Sequence, residues 1–316
     1  MTRILRLLLP GLLAMAVGCT RAGFDDQTQK TDGKTAQPDL KLTPASDAMD
    51  AALDAEVVAV DTTLPNDLPT NDCRTPLGLS ALALYRFETI TAVGVLADET
   101  GKHPGALVGA KASLVAGPSG CGKALSFLGF PSDIDQPTTY GAIDHSPAWN
   151  LQSGSISFWV RFDRAPGQQG GILSRDAGDQ NQPGHFSIMR ARDGRIIARL
   201  QRLKDETPQQ YLLCSKIVST GSWHRVRFDF GVPHAELYVD GKLAQETAKV
   251  ATRFGSKIET NACGVTGPAG IAGNQNPWVI GALNSRSADG TINSPHSALA
   301  GAIDNLLISR ARQAKP

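Results

Sequence analysis

The chain has 316 residues, 41% of them hydrophobic, 19% charged and 6% aromatic, with a net charge of +1. That balance gives no basic footprint for nucleic acid, and the length leaves room for more than one kind of segment. Gly (32) and Pro (19) are plentiful and no helix-period apolar run of useful length follows residue 60, which points to short strands and many turns.

The N-terminus is read as a targeting segment. Arg3 and Arg6 precede the apolar run Leu7 to Val17, too short for a comfortable transmembrane helix. The run ends in Ala16-Val17-Gly18-Cys19, which resembles a bacterial lipobox with Ala16 where Leu is usual. Cleavage would leave Cys19 as a lipidated N-terminus and membrane anchor, and the absence of Asp after it favours the outer membrane. A plain secretory signal with a chance cysteine is the alternative.

Residues 20–72 carry eleven acidic against four basic side chains, with Phe24 the only aromatic. Such a segment buries too little apolar surface to offset its ordering entropy, so a disordered acidic tether is expected. Residues 73–316 hold 25 basic and 19 acidic side chains and form the expected globular domain.

That domain opens on a strand over Leu82 to Glu88, followed by a turn at Asp98 to Gly101. Gly117 to Ala124 has the G-x-x-x-x-G-K spacing of a phosphate loop, but Ala124 stands where a magnesium-binding Ser or Thr is required. No βαβ pattern surrounds it, so it is read as a Gly-rich approach to a strand over Gly122 to Gly129, with no nucleotide partner.

Further strands are expected at Gly154 to Phe162, Gly170 to Ser174, His185 to Met189, Arg195 to Leu200 and Tyr211 to Cys214. In Trp223 to Phe230, Val226, Phe228 and Phe230 share one face while Arg225, Arg227 and Asp229 share the other. Leu237 and Val239 continue the apolar face, and Asp240-Gly241 tolerates the positive φ of a tight hairpin turn. Pro277 to Gly281 and Gly301 to Ser309 close the chain. More than ten short strands with regular turns predict an all-β, two-sheet antiparallel sandwich.

Six segments in order carry a resemblance: Leu84 to Glu88, Gly122 to Gly129, Ser155 to Val160, Trp223 to Val226, Leu237 to Gly241, and Gly301 to Ser309. Together they resemble the laminin-G-like (concanavalin A-like lectin/glucanase) jelly roll. The resemblance implies two packed sheets of about six or seven strands, with the first and last strands adjacent. It also implies roles ranging from glycan or protein binding, through structural modules, to occasional glycoside hydrolysis. Many jelly rolls of this type hold one structural calcium, for which Asp98 and Asp304 are the candidate ligands. Turn capping by Asp98 and a partly buried strand acid at Asp304 are the alternative.

Cys73, Cys121, Cys214 and Cys263 remain once Cys19 is assigned to lipid, an even number suited to an oxidising compartment. Three pairings are open; Cys73–Cys121 and Cys214–Cys263 keep loop closure most local. Hydrolases of this fold use closely spaced carboxylates, and the E-x-D-x-x-E pattern is missing: Glu88, Asp163, Glu236 and Asp240 stand apart. Ser222, His224 and Asp229 invite a triad reading, but neighbours on one strand cannot adopt that geometry.

For ligand binding, the long stretch from Lys249 to Asn276 is a candidate loop, with a surface insertion as the alternative. Trp149 and Trp278 offer stacking surfaces but lie beside apolar runs, as core residues do. Arg190, Arg192, Arg195, Arg199 and Arg202 offer a patch for anionic glycans, against scattered solvated arginines. The expectation is a non-catalytic, lipid-anchored envelope protein whose jelly roll binds carbohydrate, or an envelope or extracellular protein. Its rivals are a structural envelope component and a divergent glycoside hydrolase.

Overall fold

The computed structural model describes residues 77–315 except 92–93, 110–111, 120, 130–138, 177–183, 205–206, 255–256, 265–266, 268–269 and 285–294. The chain divides into two units, Met1–Ala55 and Glu56–Pro316, and all described residues belong to the second. The expected signal segment, Cys19, the tether and Cys73 lie outside the described residues.

Strands β1 (Ala81–Tyr85), β2 (Val95–Leu96), β3 (Gly105–Val108), β4 (Ser113–Ala116), β5 (Lys123–Leu128) and β6 (Tyr140–Ile143) come first. A 3-10 turn over Pro147–Trp149 precedes β7 (Gly154–Phe162), β8 (Gly170–Arg175), β9 (His185–Arg190), β10 (Arg195–Lys204) and β11 (Thr207–Ile217). Next are β12 (Trp223–Phe230), β13 (Glu236–Val239), β14 (Lys242–Leu243), β15 (Lys249–Phe254) and β16 (Lys257–Ala262). The last are β17 (Trp278–Ile280), β18 (Leu283–Asn284), β19 (Pro295–His296) and β20 (Ala300–Ser309). Among the described residues no helix is long and apolar enough to cross a membrane.

Two eight-stranded antiparallel sheets form the sandwich, slightly larger than the sequence suggests. The first runs β14-β13-β12-β7-β20-β5-β4, with β1 also pairing with β20; the second runs β11-β10-β9-β8-β17-β6-β3-β2. The expected adjacency of first and last strands holds, with Leu84 opposite Leu307 and Tyr85 opposite Leu306.

Period-two alternation explains the core. Ile156, Phe158, Val160 and Phe162 of β7 and Val226, Phe228 and Phe230 of β12 meet Phe186 and Ile188 of β9 and Ala198 and Leu200 of β10 between the sheets. Leu237 and Val239 join them as expected. Each large side chain withdrawn from water contributes roughly 1.5–3 kcal/mol. The β13–β14 hairpin turns where anticipated: Asp240 and Gly241 adopt φ of 52° and 75°, the left-handed pair a two-residue turn requires.

Both Trp149 and Trp278 are fully buried, edge to face with ring centroids 6.0 Å apart. They are core residues and present no stacking surface. Beside them, Arg175 is buried with no carboxylate partner among the described residues. Its guanidinium donates to the backbone carbonyls of Trp149, Ile271, Asn274 and Asn276 and approaches His145 Nδ1. Burial lowers its pKa to about 10. Arg175 therefore ties segment 271–276 to the end of β8.

Candidate functional site

The outer face of the second sheet is covered in two different ways. On one half, Met189, Ile197, Leu212 and Cys214 form a small apolar cluster with Val250, Cys263 and Leu283. The β15–β16 hairpin lies over this half, and the Cys214–Cys263 disulfide pins it. The long Lys249 to Asn276 stretch is thus largely a capping hairpin rather than an open loop. The second favoured pair, Cys73–Cys121, involves a residue outside the described ones. Cys121 itself is a buried free thiol with Sγ 3.6 Å from the Ser119 carbonyl oxygen.

The other half is polar and buried. Strand β9 alternates His185 and Ser187 outward with Phe186 and Ile188 inward; β10 alternates Arg199 and Gln201 outward with Ala198 and Leu200 inward. Cross-strand register makes Ser174, Ser187 and Arg199 one row, and places His185 beside Gln201. Asp176 follows β8 two positions after Ser174, on the same side. All six are less than 9% exposed.

The charges in this half are ordered. Asp176 Oδ1 accepts from Arg199 Nη1 at 3.0 Å and faces His185 Nδ1 at 2.8 Å, while Arg199 Nη2 donates to Gln201 Oε1 at 3.2 Å. Burial alone would push the Asp176 carboxyl up, but Arg199 and His185, with His296 beyond, hold it below the usual carboxylate range. From the small β18–β19 ladder, Asn284 donates its backbone N–H to Ser174 Oγ at 2.9 Å, which places Asn284 at the head of the serine row.

Polar atoms of two side chains here have no hydrogen-bond partner among the described residues. The Ser187 hydroxyl and both the oxygen and nitrogen of the Asn284 amide are buried without a hydrogen bond. Native proteins leave few buried polar atoms unsatisfied, because each costs about 1–3 kcal/mol. A preordered Asp–His–Arg–Gln set beside an unspent amide and hydroxyl suits a polyhydroxylated ligand, whose hydroxyls both donate and accept.

The sequence-derived candidates distribute differently. Arg199 belongs to this cluster and is neutralised by Asp176. Arg190 is buried over the Phe162 ring and Arg195 pairs with Asp193 and Glu246, so these two and Arg199 share no exposed patch. The side chain of Arg202 lies outside the described ones. His224 does not meet Ser222 and Asp229; its Nδ1 faces Asp240 Oδ2 at 2.8 Å and its Nε2 lies 3.1 Å from the Ser219 carbonyl oxygen.

Asp98 is spent on its own turn. Its two oxygens accept from the backbone N–H groups of Leu84, Thr100, Lys102 and His103 and from the Thr100 hydroxyl. A carboxylate so saturated has no lone pairs left to hold a cation, which is the turn-capping alternative for Asp98. Asp304 is fully buried, and burial together with the Glu88 carboxylate raises its pKa to about 7. The Asn305 side-chain oxygen next to it is buried and has no hydrogen-bond partner among the described residues. Glu88 also accepts the Lys123 N–H at 3.0 Å, which fixes it over the turn that ends at β5. Two carboxylates and an orphan amide oxygen fit the donors a hard cation takes.

A family model described as the concanavalin A-like lectin/glucanases superfamily matches residues 135–315. The chain belongs to that superfamily. Solved structures similar to it include domain 4 of a GH43 extracellular arabinanase from Geobacillus stearothermophilus, in complex with arabinotriose. That likeness has 16% identity, covers 75% of this chain and 95% of that one, and has a TM-score of 0.48. A Trypanosoma rangeli sialidase in complex with sialic acid matches at 11% identity over 75% of this chain and 32% of its own, with a TM-score of 0.46. The binding domain of botulinum neurotoxin DC, in complex with rat synaptotagmin II, matches at 16% identity over 75% and 49%, with a TM-score of 0.43. No curated protein matches the chain.

The site residues missed by sequence reasoning are Asp176, His185, Ser187, Gln201 and Asn284. Their signal was faint: polar positions alternating along strands whose other face is apolar, a pattern that normally means solvent.

Proposed function

We propose that this protein is a non-catalytic carbohydrate-binding member of its superfamily, with the polar half of the second sheet's outer face as the binding site. The observation that carries the reading is the buried Asn284 amide and Ser187 hydroxyl, unpartnered among the described residues, beside the ordered Asp176–His185–Arg199–Gln201 set. Sites built to bond a ligand hydroxyl leave protein polar groups unpaired until that hydroxyl arrives. Asp176 is committed to orienting Arg199 and His185, a role suited to recognition rather than proton transfer to a glycosidic oxygen.

Lipidation at Cys19 would anchor the domain to a bacterial envelope membrane, the outer one by the residue that follows, with the acidic tether as spacer. An envelope or extracellular glycoprotein would then be as suitable a partner as a free glycan. One structural calcium, held by Asp304 and Glu88 with the Asn305 side-chain oxygen, would neutralise the buried Asp304 carboxylate on the outer face of the first sheet.

A glycan array probed with the full chain, with and without calcium, tests the reading. Saturable binding to defined glycans is expected. Silence across the array would favour a structural envelope component, and release of reducing sugar would favour a glycoside hydrolase.

A further inference from the structure

A second surface, on the opposite sheet, carries different chemistry. The outward positions of β12 are Trp223, Arg225, Arg227 and Asp229, and those of β7 are Ser157, Trp159 and Arg161. Antiparallel register sets Trp223 directly opposite Arg161 and Arg225 directly opposite Trp159. Arg227 faces Ser157 on one side and Tyr238 of β13 on the other. The result is a checkerboard in which each tryptophan has an arginine across from it. The two tryptophans stand on one diagonal and Arg161 and Arg225 on the other, each pair about 7–8 Å apart.

Several contacts hold this checkerboard in shape. The Arg161 guanidinium lies 5.3 Å from the Trp223 ring centroid, and that of Arg227 lies 4.1 Å from the Tyr238 ring. Asp163 accepts from Arg161 Nε at 2.7 Å and Nη2 at 3.2 Å, fixing the plane of the fork while Nη1 keeps no partner among the described residues. The end of the chain covers the far side of the face, where Arg227 Nη1 donates to the Ala314 carbonyl and Gln313 reaches Ser157. Trp159, Arg161, Trp223 and Arg225 beyond it stay partly exposed.

We propose that this face, across β7 and β12, docks an acidic polysaccharide, a chain of uronic acid units. The flat apolar side of a pyranose ring stacks on an indole face, and a planar guanidinium meets a carboxylate through two parallel hydrogen bonds. A ligand carrying both features matches a surface that alternates the two side-chain types at sheet spacing. The excess of basic over acidic side chains in residues 73–316 favours the same partner. This surface is independent of the polar half of the second sheet.

Affinity electrophoresis of the full chain through gels containing polygalacturonate, or neutral dextran as control, tests it. Retardation by polygalacturonate alone is expected, weakening as salt rises. Arg161→Gln combined with Arg225→Gln should weaken binding about tenfold, while Lys216→Gln, which removes an exposed charge from β11 of the other sheet, leaves it unchanged. Arg161→Lys with Arg225→Lys keeps the charge and should still weaken binding, because the fork is lost. No retardation by polygalacturonate would overturn the proposal. So would equal retardation by dextran, or full binding by either double variant at an unchanged melting temperature.

Discussion

His224 and Asp240 are joined across the end of the first sheet: Nδ1 of the imidazole lies 2.8 Å from the carboxylate, whose other oxygen accepts the Arg225 N–H at 2.9 Å. The hydrogen bond that His224 donates to Asp240 raises the His224 pKa above the ordinary histidine value, against the lowering effect of burial. Its Nε2 at the Ser219 carbonyl completes a bridge between the β11–β12 loop and the β13–β14 turn.

A histidine raised on folding contributes stability that is complete below its unfolded pKa of about 6.5 and is lost as pH rises through the higher folded value. Because the Asp240 side chain is 47% exposed, the contribution is about 1 kcal/mol at most. The melting temperature of the wild type should therefore fall more steeply than that of His224→Gln as pH rises from about 6.5 through the higher folded value. Parallel pH profiles would show that the bridge contributes nothing.

Arg175 anchors four backbone carbonyls from the core side. Arg175→Met keeps the apolar stem and leaves those carbonyls buried without donors, so a loss of about 3 kcal/mol or more is expected in urea unfolding. A midpoint within experimental scatter of the wild type would contradict this role.

The Cys214–Cys263 disulfide closes a separation of 49 residues. Chain-entropy arguments put its removal at about 4 kcal/mol. Replacing both cysteines with Ala should lower the midpoint accordingly and increase exchange of the β15–β16 amides before that of the core strands. Uniform exchange across the domain would show that the hairpin is held by its apolar cluster instead.

Asp304, with its pKa near 7, makes the proposed calcium dependence pH-sensitive. A carboxyl raised on folding destabilises the fold progressively as pH rises from its unfolded value through 7, since it must ionise while buried. A cation that neutralises the carboxylate relieves this cost, and a proton competes with it. Calcium at a hundredfold excess over Kd should stabilise by about 2.7 kcal/mol at pH 8, with a smaller effect at pH 5.5. Indifference to calcium and chelator at pH 8 would remove the site.

The fold was legible because alternation is strict where it matters. Val226, Phe228, Leu237 and Val239 point one way along β12 and β13, and Asp240-Gly241 marks the turn between them and β14. The binding half was not legible for the same reason. His185 and Ser187, or Arg199 and Gln201, look like solvent-facing positions of half-buried strands. Their burial depends on pieces far away in sequence: Asn284 meets Ser174 across 110 positions. Asp98 was ambiguous for a different reason, since a carboxylate in a Gly-containing turn reads equally as a cation ligand and as the cap that it is.

The most direct test of the glycan-site account is the paired measurement of stability and glycan-array binding for Ser187→Ala. If the hydroxyl is kept unpaired for a ligand, its removal should raise unfolding stability by about 1 kcal/mol and cut array binding severalfold. A variant that is less stable than the wild type, or that binds the same glycans equally well, would contradict the account.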